Sequence, residues 1–132
     1  MSWNLVHHHR WAIIELILTG EQTQQDFVEA ATARVKLGKE TGVSRFIINP
    51  VDLVASRDQA FDVVSIPATV YAKNQADPSS AVALLQSPDK ATRELVKFYE
   101  TAALNRGWLV RIFEDRECAI QWLLGVKVQS AT

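Results

Sequence analysis

The stretch Trp108–Gly125, WLVRIFEDRECAIQWLLG, decides the fold class. Its apolar run, Trp108 to Phe113, is too short for a helix. A polar corner at Glu114 and Asp115 follows. Ala119, Trp122 and Leu123 then recur at helical spacing, with Gly125 beyond them, which predicts a helix from about Asp115 to Leu124. Strand, corner and amphipathic helix in succession form the repeating half of a parallel-sheet protein.

Working outward, the same rhythm occurs twice more. The runs Arg45 to Ile48 and Ala81 to Gln86 read as strands. Ser87 and Pro88 stand as N-cap and first residue of a helix ending at Arg106, closed by Gly107, with Ala91, Leu95, Phe98, Tyr99 and Ala102 as its apolar stripe. Upstream, Thr23 can cap a helix to about Glu40. Phe27, Ala30, Ala31, the stem of Arg34, Val35 and Gly38 share one of its faces, and Gly42 suits a left-handed terminator.

At the N-terminus, Trp3 to Val6 and Trp11 to Leu18 read as two strands of an antiparallel hairpin turned by His7 to Arg10. The second strand is apolar on both faces, interrupted by Glu15, and is expected in the sheet interior. Between Ser56 and Lys73, Phe61, Val64, Ala68 and Tyr71 share a helical face that Pro67 must kink or split. Asn74 to Ser80 is a loop. The order β-β-α-β-α-β-α-β-α predicts an α/β domain over residues 1–125, with a mostly parallel sheet of four to five strands, and a frayed tail over 126–132.

Composition narrows the function classes. A chain of 132 residues suits one domain and buries roughly two-thirds of its unfolded surface, so it needs no disulfide or metal staple. The single Cys118 fits a reducing compartment. Fourteen Lys and Arg against fifteen Asp and Glu give a net charge of −1, without the electrostatic footprint of a nucleic-acid binder. No apolar run is long enough for a membrane span, and MSWNLVHHHR lacks a secretory pattern. The expectation is a soluble, cytoplasmic protein.

The chain resembles the STAS-like superfamily, the fold of anti-sigma-factor antagonists, and is similar to small stand-alone bacterial members of it. The likeness spans residues 3 to 125. It is carried by the corner Leu18–Thr19–Gly20 and by the ending Val110–Asp115 with Ala119–Leu123. It implies a regulatory, protein-interaction role without catalysis, and a docking region around Ser56 with Phe61, Val64 and Tyr71; Asn49 and Asp52 join it because loops at the carboxyl ends of parallel strands converge on that edge. In antagonists an apolar residue, an Asp and a phosphorylated Ser lead into a helix. Val54, Ala55 and Ser56 take those places here, which makes Ser56 the candidate phosphorylation residue, although Ala55 replaces the acid. As a plain N-cap, Ser56 would pair with Gln59 in a capping box.

Other chemistry is thinly represented. No glycine-rich phosphate loop, nucleophile elbow or zinc motif occurs, so no cofactor or metal is expected. The run His7–His9 reads as a solvated turn, and Cys118 as a partly buried thiol whose acidic neighbours oppose thiolate formation. The alternative function is binding of a small apolar or lipid-like ligand in a cavity under residues 61–71. A third reading, an enzyme using Ser56, Asp52 and a histidine, requires the hairpin to approach the strand-end edge. The hairpin's outer strand, with Trp3 and Leu5 and little gatekeeping charge, is a candidate homodimer edge.

Overall fold

The structure is a computed structural model, and it describes residues 3–55, 59, 63, 65–77 and 79–126. Five strands form one sheet in the spatial order β1-β2-β3-β4-β5. They are β1 (Trp3–His8), β2 (Ile13–Gly20), β3 (Arg45–Leu53), β4 (Ala81–Leu85) and β5 (Leu109–Phe113). β1 pairs antiparallel with β2, and every later pairing is parallel. The helices are α1 (Gln24–Thr41), α2 (Lys90–Asn105) and α3 (Arg116–Gly125), and a π-helical turn spans Pro67–Tyr71.

Each parallel connection steps to the neighbouring strand in the same direction, so crossovers of one hand place their covering elements on one face. α1, Val63, the 65–71 segment and α2 accordingly share the larger core with Ile14, Leu16, Phe46, Val82 and Leu84. α3 folds over the other face, where Ala119 and Leu123 meet Ile13, Ile47, Ala81 and Ala83. Strand alternation supplies both cores from the same three central strands.

Local chemistry explains most boundaries. Thr23 and Asp26 form a reciprocal capping box at the start of α1, and Gly42 ends it with φ 73°. α3 begins at the Asp115 cap, as its sequence predicts. α2 begins later than expected: its cap is Asp89, not Ser87. The buried Ser87 hydroxyl accepts instead from the Asp89 N–H at 3.1 Å, while Asp89 accepts from Thr92 N–H at 3.0 Å.

Phe98 leaves the apolar stripe and is 51% exposed, because Thr92, Leu95, Val96, Tyr99 and Ala103 form the inward face. The hairpin turn lies two residues further on than expected. β1 reaches His8, and Trp11 and Ala12 bond back to the His8 and His9 carbonyls. Pro67 opens the π turn at its first position, where its missing N–H costs no hydrogen bond. The tail residues 127–132 lie outside the described residues. Among the described residues no helix is long and apolar enough to cross a membrane.

Candidate functional site

The larger core is not filled. Arg34 falls on the inward stripe of α1, three residues after Ala31 and one before Val35, so helical spacing alone turns it inside. It is 4% exposed. Its guanidinium lies between the rings of Phe46 and Tyr71, at 4.7 and 5.1 Å from their centroids. Arg34 Nη2 donates to the Tyr71 hydroxyl at 2.5 Å, and that hydroxyl is hydrogen-bonded in turn to the hydroxyl of Tyr99.

Tyr71 is placed by the last residue of the π turn and Tyr99 by the inward face of α2. Trp108 stands edge-on to Tyr71 at 4.9 Å. Burial, and then the neighbouring Tyr71, push the Tyr99 phenol well above its ordinary pKa, so it stays protonated. Among the described residues the ion pairs of lysine or arginine are Arg93–Glu114 and Arg116–Glu15, and His8 Nε2 contacts Glu15 at 2.8 Å. Arg34 thus has no carboxylate, and its Nε–H has no acceptor.

Two clefts meet at this trio. An inner cleft of about 60 Å³ lies beneath the 65–71 segment, walled by Leu16, Ile48, Val63, Ile66, Leu84 and Leu95. An outer cleft of about 70 Å³ runs from a mouth at Lys39, Gly42 and Asp77 down to the same three side chains. Arg34, Tyr71 and Tyr99 line both. The arrangement is an apolar pocket with a cationic, donor-bearing end.

The opposite face carries a second polar cluster. Glu15 is 2% exposed. Its carboxylate accepts from Arg116 at 2.8 and 2.5 Å and from Asn49 at 2.9 Å, and it contacts His8 Nε2 at 2.8 Å. Burial alone would raise the Glu15 pKa, but these hydrogen bonds outweigh it and bring it down to about 2. Every acceptor site is committed to a neighbour, so this cluster ties strands to helix rather than presenting a reactive group.

The sequence-derived docking residues do not share one surface. Asn49 faces α3 and serves Glu15, whereas Tyr71 lies in the core on the opposite face. Asp52 is exposed, opposite Thr19 in the β2–β3 ladder. Ser56, Phe61 and Val64 lie outside the described residues. The enzyme reading fails on geometry: His8 pairs with Ile13 at one end of β2, and Asp52 with Thr19 at the other. At ~3.3 Å per residue those ends stand about 20 Å apart.

His7 and His9 stack at 3.9 Å between ring centroids. Cys118 is exposed rather than partly buried. Its thiol contacts Asp115 at 3.4 Å, and that hydrogen bond and charge raise its pKa. Among the described residues no group of three or more His, Cys, Asp and Glu could hold a metal. No motif in the sequence marks Arg34, Tyr99, Glu15 or Arg116 as a site residue. The available signals were a cation on the apolar stripe of α1 and a carboxylate inside an interior strand, since such residues are rarely buried without a partner. No family model, curated protein or solved structure matches the chain.

Proposed function

We propose that this chain is a non-enzymatic binding module that holds a small, largely apolar ligand in the inner cleft beneath the 65–71 segment. The observation that carries the reading is the convergence of apolar walls from β2, β3, β4, α1 and α2 on one polar end at Arg34, Tyr71 and Tyr99. Well-packed cores leave few voids, and a guanidinium is seldom placed beside one. Titration with xenon or with short alcohols, followed by methyl NMR, tests it. Shifts confined to Val63, Ile66, Leu84 and Leu95 are expected. Uniformly unmoved methyl signals would refute the reading.

A second reading, a cytoplasmic STAS-like regulatory module docking a protein partner, draws support from the end of β3. Val51 in β3 and Val54 just beyond it are 40% and 57% exposed, shortly before Ser56 in the sequence. Phosphosite mass spectrometry of the protein from its native cell tests it. Phosphate on Ser56 supports a switch, and an unmodified Ser56 across growth conditions counts against one.

A further inference from the structure

We infer that Arg34 and the Tyr71–Tyr99 hydroxyl pair form a head-group subsite in the inner cleft, and that its ligand is a short-chain monocarboxylate. The inference rests on the reading of that cleft as a ligand site.

The hydrogen-bond inventory has an excess of donors. Two phenols bring two protons, but their mutual contact uses only one. If Tyr71 donates, the proton of Tyr99 lacks an acceptor; if Tyr99 donates, the proton of Tyr71 does. The Arg34 Nε–H also lacks one. A buried polar end with a spare phenol proton, an unpaired Nε–H, one cation and, among the described residues, no carboxylate is complementary to an anion. The raised Tyr99 pKa keeps that phenol a donor at neutral pH.

Charge and size then restrict the class. One guanidinium balances one negative charge, so a monoanion fits and a dianionic phosphate would leave charge buried and unpaired. Carboxylate oxygens can accept one from Arg34 Nε and the other from the free phenol proton. The inner cleft, at about 60 Å³, is smaller than the roughly 150 Å³ cavity that admits benzene, which limits the body to a few carbons. Leu16, Ile48, Leu84 and Leu95 around it favour an alkyl body.

The test compares acetate and propionate with their amides and the matching alcohols, at fixed ionic strength, by methyl NMR titration and thermal shift. The acids should bind about 10- to 100-fold more tightly than the amides. Arg34→Met should abolish that preference while the alcohols still bind. Tyr71→Phe combined with Tyr99→Phe keeps both rings, removes the spare phenol proton and should weaken the acids alone, which carries the test if Arg34→Met unfolds. Equal affinity for acid and amide, or a preference that survives both substitutions, overturns the head-group assignment. Binding of alcohols without an acid preference removes only that assignment. Binding of neither class removes the cleft reading with it.

Discussion

Glu15 sits in the middle of Ile13–Leu18, a run otherwise made for burial, and its carboxylate survives there because Arg116, Asn49 and His8 all reach it. Its pKa falls from 4.5 to about 2 on folding. The unfolded chain therefore binds the proton more readily, and the ionised cluster contributes its full stability above about pH 5. That contribution is lost as pH falls through the interval from 4.5 to about 2, and amounts to about 3 kcal/mol. Glu15→Gln should be less stable than wild type at pH 7, and the gap should close towards pH 2. Urea midpoints measured from pH 7 to pH 2 check this; parallel curves would disprove the assignment. Ala12 offers a contrast of purely backbone origin. Its φ of 53° places a Cβ in the left-handed region of an exposed turn, so Ala12→Gly should gain up to about 1 kcal/mol, read as a higher thermal midpoint.

At the scale of elements, α3 is tied at both ends by arginines. Arg116 in its first turn reaches Glu15, and Arg45 of β3 donates to the carbonyls of Leu123 and Val126 at 2.6 and 3.1 Å. A cation at a helix C-terminus satisfies carbonyls that the helix leaves open. Arg45→Met should cost about 1 kcal/mol and speed amide exchange in the last turn of α3 before its first. Uniform exchange along α3 would contradict a local tie. α1 carries the opposite kind of constraint. A Cβ on Gly38 would come within 2.6 Å of the Phe46 ring, which is buried and covered by Arg34. Gly38→Ala should therefore destabilise by about 1 to 3 kcal/mol despite the helix preference of alanine, and a raised urea midpoint would refute this. The elements themselves were legible from capping residues, glycines and apolar spacing, because those signals act within a few residues. The site was not, because Arg34, Tyr71 and Tyr99 meet across three separate elements. Glu15 and Arg116 meet only when α3 folds back over the sheet. The cap of α2 moved from Ser87 to Asp89 for a similar reason, since Ser87 is drawn into contact with the end of β3.

At the scale of the whole molecule, a sheet in sequential order leaves β1 and β5 as its edges among the described residues, with different protection. On β5, Arg111 is exposed and its guanidinium covers Phe113 at 5.3 Å, a charge placed where edge pairing would begin. β1 carries no Lys, Arg, Asp or Glu between Trp3 and His8, and Asn4 is its exposed polar residue among half-buried neighbours. Its outer backbone groups are thus open to antiparallel pairing with a second copy across a two-fold axis, which would extend the sheet to ten strands. The expected outcome is a reversible dimer, seen as a concentration-dependent mass in sedimentation at micromolar protein. Asn4→Lys should shift it to monomer without lowering the thermal midpoint of the monomer, because the side chain faces solvent. A monomeric wild type at tens of micromolar would exclude the pairing. A dimer that ignores Asn4→Lys would move the interface away from β1, with the apolar end of β3 at Val51 and Val54 as the next surface to substitute.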